Sequence, residues 1–191
     1  MSISPTEIID FWKDEVGEKG WYIVDKAVDD MIRDRYLDFW QDARDGKYDR
    51  WGGCPEHSLA LLIVLDQFPR NMFRGSGESF ATDAKARKIA KRAIYMKFDL
   101  GVDPLMRQFF YLPLMHSEVL ADQDTSVRMY KLRLSEGGDL LHPRSHREVI
   151  RKYGRFPYRN DALGRSSTAN ERAYLQAGGY GFTLKSLSGE S

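Results

Sequence analysis

The stretch from Pro55 to Gly75, PEHSLALLIVLDQFPRNMFRG, constrains the fold more than any other part of the chain. Leu59 to Leu65 is apolar at every position, so the element it forms has no face to offer to water and has to lie in the interior. Asp66-Gln67-Phe68-Pro69-Arg70-Asn71 follows at once, which delivers charged and amide groups to the edge of that core. A similar ending recurs at Arg155-Phe156-Pro157-Tyr158-Arg159-Asn160.

Read around that centre, the chain divides into helical segments. Ser4 caps a first helix with Pro5 in its first turn and Glu7 closing a capping box, and that helix stops before Gly17. Asp25 caps a second, running to about Asp45, with Val28, Met31, Ile32, Tyr36, Phe39 and Trp40 at helical spacing, and Gly46 ends it. Pro55 opens the central helix, which is expected to close near Phe68 because the residue before a proline is pushed out of helical geometry. A fourth helix begins at Thr82 or Asp83, turns Ala86, Ile89, Ala90, Ala93 and Ile94 inward, and closes at Gly101. Asp103-Pro104 starts a fifth, with Leu105, Met106, Phe109, Phe110 and Leu112 apolar. Pro113 kinks or restarts it, and Met115, Val119 and Leu120 continue the pattern.

Thr125 or Ser126 opens the next segment, with Val127, Tyr130 and Leu134, ended by Gly137-Gly138. Ser145 to Tyr153 is helical. Thr168 and Glu171 form a last capping box leading into Tyr174 and Leu175, and Gly178-Gly179 stops it. No run alternates as a strand does. The expected fold class is all-α, about eight helices in antiparallel pairs, as a single domain over 1–185 with a loose tail over 186–191. Bundle and α-α stack stay open on pattern alone.

Composition narrows the function classes. The net charge of +1 argues against a general polyanion binder, although residues 1–45 carry twelve acidic and six basic side chains, net −6, and residues 144–165 seven basic and two acidic, net +5. Cys54 is the only cysteine, so no intramolecular disulfide and no thiolate metal cluster can form. The N-terminus has neither the basic nor the apolar region of a signal peptide. The longest apolar run, Leu59 to Leu65, falls far short of the ~20 residues of a membrane span. A cytoplasmic protein without membrane partner is the expectation.

Four stretches carry a resemblance: Leu65 to Asn71 with Phe73-Arg74-Gly75; Phe110 to Glu118; Tyr153 to Asn160; and Leu163 to Thr168 followed by Glu171. Together they resemble the bacterial domain-of-unknown-function family nine hundred twenty-four. The resemblance covers nearly the whole chain. It implies a tetratricopeptide-like all-α superhelix and implies no particular activity. One position departs from the pattern: Tyr158 stands where the family usually has histidine.

The candidate ligand-binding residues are Asp66, Gln67, Arg70, Asn71 and Arg74 from the first polar ending, and His116, Glu118, Arg155, Arg159, Asn160 and Arg165 from the later stretches. Guanidiniums at these positions can grip a carboxylate or phosphate in two-point fashion. The same residues can instead satisfy carbonyls and carboxylates of the chain, since buried polar groups need partners whatever the function. No catalytic residue is assigned. His116 and Ser117 are adjacent on a helix and point different ways, against a nucleophile–base pair. The four histidines offer one i,i+4 pair, His142 and His146, interrupted by Pro143, so no metal and no cofactor is expected.

Arg144, Arg147 and Arg151 share one helical face and could track phosphates, but no recognition motif accompanies them, and nucleic acid is disfavoured as a partner. Two readings remain. The leading one is a non-enzymatic scaffold binding a protein or peptide partner; the other is a small-molecule protein or enzyme with an arginine-rich pocket for an anionic ligand.

Overall fold

The computed structural model describes residues 3–134 and 139–189, and among them it is helical without strands. The chain divides into two compact units, one ending at Pro113 and the next beginning at Leu114.

In the first unit, α1 (Pro5–Asp10) starts under Ser4, whose hydroxyl accepts from the Glu7 amide. The Glu7 carboxylate turns to Arg35 instead of closing the box. The helix continues as a wide π turn, Phe11–Val16, then α2 (Gly17–Gly20). α3 (Lys26–Arg44) is capped by Asp25 and buries Ile32, Tyr36, Phe39, Trp40 and Ala43. Met31, expected inside, is exposed.

α4 (Pro55–Leu62) runs into a π turn, Ile63–Gln67, and then α5 (Phe68–Met72). The expected stop at Phe68 therefore does not occur. Pro69 has no N–H to give the Leu65 carbonyl four residues earlier, and its ring would crowd that oxygen in an ordinary helix. The wide turn relieves the crowding, and the Thr82 hydroxyl, arriving from another segment, donates to the Leu65 carbonyl. Trp40 Nε1 in turn donates to the Thr82 oxygen at 3.3 Å. Thr82→Val should cost about 1–3 kcal/mol, because it removes the carbonyl's donor and the indole's acceptor inside the core. Thr82→Ser should recover most of this in urea unfolding.

The core of this unit is aromatic. Trp12 is ringed by Trp21, Phe68 and Phe109 at centroid distances of 6.5, 5.8 and 6.0 Å. α6 (Asp83–Tyr95) lays Ala86, Ala90 and Ala93 inward and ends earlier than Gly101, with Lys97 in the left-handed region at φ 58°. The fifth helix expected from Pro104 is instead a 3₁₀ turn, Met106–Phe110. Its tighter bonding, Tyr111 N to Gln108 O at 2.8 Å, suits a segment whose next proline, Pro113, cannot donate to Phe109.

α7 (Leu112–Met115) spans the boundary between the units. α8 (Leu120–Arg133) begins ahead of Thr125, since the Ser117 hydroxyl accepts from Val119 N and donates to Asp122, turning the chain into the helix there. Val119 and Leu120 are consequently exposed. The Gly137-Gly138 stop expected beyond it lies outside the described residues, as do Glu190 and Ser191 of the expected tail.

α9 (Leu141–Tyr153) also starts earlier than expected: Asp139 accepts from Leu141 N at 2.8 Å, and Pro143 falls in the first turn, where its missing N–H costs nothing. α10 (Ala169–Gln176) has the expected Thr168–Glu171 capping box. Beyond Gly179, where a stop was expected, the chain forms α11 (Tyr180–Ser188), which takes in Ser186 to Ser188 of the expected tail. α8 and α11 both pack on α9, around a small core of Val149, Ile150, Phe156 and Tyr174.

Candidate functional site

The first polar ending sits on α5 and its entry. Asp66, 1% exposed, accepts from Gln67 Nε2 at 2.6 Å. The Arg70 guanidinium donates to the Asp66 carbonyl and, through Nη2, to Asp83 Oδ1 at 2.9 Å. Arg74 grips Asp29 on α3 with two bonds, 2.6 and 2.9 Å, and Asn71 donates to the same carboxylate at 3.0 Å. These side chains tie α5 to α3 and to the start of α6.

The later candidates form a second set within the second unit. The Glu118 carboxylate receives Arg165 Nη1 at 2.7 Å and Nη2 at 3.0 Å, and also the Phe156 amide at 2.8 Å. Arg165 further donates to Asn160 Oδ1 at 3.1 Å and the Phe156 carbonyl at 3.2 Å. Burial pushes the Glu118 carboxyl up, but the Arg165 bonds, the Phe156 N–H and the Arg165 and Arg159 charges outweigh it and hold it below its ordinary value. Arg155 grips Glu171 with bonds of 2.6 and 2.8 Å and the Ser166 carbonyl at 2.9 Å. That grip, with the Thr168 N–H, brings Glu171 down to about 2. Arg159, 7% exposed, stacks its guanidinium over Phe156 at 4.4 Å.

His116 belongs to a cluster whose centre the sequence did not single out. Tyr180 OH lies 2.9 Å from His142 Nδ1 and 3.0 Å from His146 Nδ1, so the i,i+4 histidine pair on α9 is bridged by the first residue of α11. His146 Nδ1 is also 3.0 Å from the His142 carbonyl, which places the proton on that nitrogen. The His116 and His146 rings stand 6.1 Å apart, and Phe156 and Tyr180 flank His146 at 5.6 and 4.6 Å. Tyr158 stacks on Phe156 at 5.3 Å and is partly exposed.

Burial above all, and then the His116 charge, hold His146 down to about 3 from 6.5. A histidine with a depressed folded value binds its proton more weakly than the unfolded chain, so its contribution to stability is complete above pH 6.5. That contribution is lost progressively as the pH falls from 6.5 toward 3. Between pH 7 and 5 the loss should be about 1–2 kcal/mol, and His146→Gln should flatten that part of the urea-unfolding profile. Glu171 adds a separate loss below 4.5.

An open groove of about 820 Å³ runs along the second unit. Tyr153 on α9, Ala173 and Tyr174 on α10, Ala177 just past its end and Phe182 on α11 supply its apolar lining; Lys152, Arg155, Thr168 and Asn170 supply polar groups. Ala173, Ala177 and Phe182 are exposed, and Tyr153 half-buried. Arg155 is the one sequence-predicted candidate that lines it. The others divide between the α5 cluster in the first unit and the Glu118–Arg165 and His116 clusters in the second. Among the described residues, no group of three or more His, Cys, Asp or Glu side chains could hold a metal ion, and no helix is long and apolar enough to cross a membrane.

The model of a family described as bacterial proteins of unknown function, DUF924, matches residues 8–179. The chain belongs to this family. A solved structure of a protein of unknown function from Agrobacterium tumefaciens superposes with a TM-score of 0.84 at 40% identity, covering 90% of this chain and 96% of that one. No curated protein matches the chain. The four stretches that carry the resemblance supply the Arg74, Glu118, Arg165, Arg155 and Glu171 side chains of these grips.

Proposed function

We propose that the protein is a non-enzymatic binding scaffold that holds a segment of a partner protein in the groove of its second unit. The observation that carries this reading is the groove itself, where Ala173 on α10, Ala177 at its end and Phe182 on α11 stay exposed beside Tyr153. Small-molecule pockets enclose most of their ligand; an open, aromatic-lined groove suits a chain segment laid along it. The alternative, a small anion gripped by converging arginines, is weakened because Arg74, Arg155 and Arg165 each already hold a carboxylate of the chain in two-point fashion. A tetratricopeptide-like stack in the cytoplasm, with no nucleic-acid or membrane partner, belongs to the same reading, by analogy of fold.

The test sets the two readings against each other. A ligand present at a hundred times its dissociation constant adds about 2.7 kcal/mol, or roughly 5–10 °C in a domain of this size. The scaffold reading expects no such shift with phosphates, nucleotides or carboxylic acids. It expects peptides selected from a displayed random library to bind the full chain and to be lost in Phe182→Asp. A large shift with one anion class, unaffected by Phe182→Asp, would transfer the function to the arginine clusters.

A further inference from the structure

The groove has a charge pattern of its own. Among the described residues Glu171 is the one acidic side chain of its lining, and that carboxylate is buried, gripped by Arg155 and bonded by the Thr168 amide. Arg155 spends Nε and Nη2 on this grip and on the Ser166 carbonyl, and its Nη1 makes no hydrogen bond among the described residues. Its guanidinium is therefore fixed in place with one nitrogen still to offer. Lys152, exposed on the same lining, has no carboxylate partner among the described residues; its Nζ lies over the Tyr153 ring at 5.4 Å. The apolar lining thus carries two cationic donors, one of them preorganised, against a single carboxylate that Arg155 already holds; Glu148, which lines the adjoining pocket, faces Arg151 at 3.6 Å.

Resting on the groove reading above, we propose that the segment it takes is acidic: an aliphatic or aromatic side chain seats between Tyr153 and Phe182, and a neighbouring Asp or Glu meets Lys152 and Arg155. The occupant is a segment of a partner protein. A nucleic acid would ask for a track of phosphate contacts, and the neighbouring cations on α9 do not supply one, because Arg147 faces Asp124 at 3.5 Å and Arg151 faces Glu148 at 3.6 Å. Charge pairs at a half-open rim add selectivity more than affinity, with the apolar anchor doing most of the holding.

The experiment uses the full chain and a displayed library of random peptides, followed by fluorescence anisotropy. Each enriched peptide is compared with its counterpart in which Asp and Glu become Asn and Gln. The acidic form should bind roughly threefold to tenfold more tightly, and the difference should shrink as salt is raised. Lys152→Glu should erase or invert it, whereas Lys88→Glu, the same charge change on α6, should leave it in place. Phe182→Asp should weaken both forms about tenfold or more. Unchanged circular dichroism in each variant separates lost binding from lost folding.

If acidic and amide peptides bind equally and both still depend on Phe182, the acidic inference falls while the groove reading stands. If no enriched peptide depends on Phe182, both fall. Enrichment of nucleic acid over peptide on the same groove, or concentration-dependent self-association abolished by Phe182→Asp, would overturn the inference in favour of those occupants.

Discussion

Glu118→Ala should destabilise the second unit by about 2–4 kcal/mol. Removing one member of a fully buried ion pair costs about 3–5 kcal/mol, and the side chains here are 28% and 24% exposed, which discounts that figure. The carboxylate also serves the backbone. Its loss leaves the Phe156 amide without its acceptor, at a residue that is 0% exposed, where an orphaned donor adds about 1–3 kcal/mol. Arg165 would keep only Asn160 and the Phe156 carbonyl. Glu118→Gln retains one oxygen for the amide and should recover roughly half of the loss. Hydrogen exchange is the suitable measurement, since protection at Phe156 and in α9 and α10 reports on this unit by itself. Unchanged protection in Glu118→Ala would mean the brace is ornamental, and the Glu118–Arg165 cluster would regain its standing as a ligand site.

What the sequence disclosed follows a physical division between local and distant causes. Caps were legible because their partners lie within a turn: Asp25 with Ala27, and Thr168 with Glu171, form as expected. The apolar run at Leu59–Leu65 was legible because hydropathy without a polar face admits few arrangements. Pro69 was misread because the local rule is sound but incomplete; a hydroxyl from Thr82 answers the carbonyl the proline cannot. α11 was missed for a similar reason. Gly178-Gly179 does end a helix, yet Tyr180 is anchored to His142 and His146, 38 and 34 residues earlier in the chain, where no local window reaches, and Thr183 bonds Tyr174 at 2.9 Å across the glycine pair.

The candidate site divides along the same line. The arginines and asparagines of the polar endings were visible as residue types, but a guanidinium that binds a ligand and one that braces a helix look alike until the carboxylate opposite is known. Asp29, from 45 residues earlier in the chain, decides it for Arg74. The groove left almost no signal. Nothing in the pattern marks Ala173 or Ala177, and Phe182 lies beyond the expected stop at Gly178-Gly179; only the packing of α10 and α11 beside α9 brings them to one groove. The tyrosine at 158 shows the limit from the other side: the residue type was visible, and the ring it stacks on, Phe156, was not.

The other large effect lies in the first unit. Phe68→Ala should cost about 3–5 kcal/mol there, the range for truncating a fully buried aromatic. Phe68 is 0% exposed and touches three rings, with centroids at 4.8 Å to Tyr36, 5.8 Å to Trp12 and 6.0 Å to Phe11. Edge and tilted pairs of this kind contribute beyond the area they bury. The site is also poorly placed to collapse, because Phe68 follows the π turn and precedes Pro69, whose fixed backbone limits how far the surrounding turn can shift to fill a void. Phe68→Leu keeps much of the volume and should cost about half as much. Trp12 lies in the same ring cluster, so a change in tryptophan emission should accompany the urea transition. A cost below about 1 kcal/mol would show that the neighbouring rings close over the gap, and the mechanical centre of the unit would then lie in α4, among Leu59 to Leu62, instead of at the junction where the apolar run meets the proline.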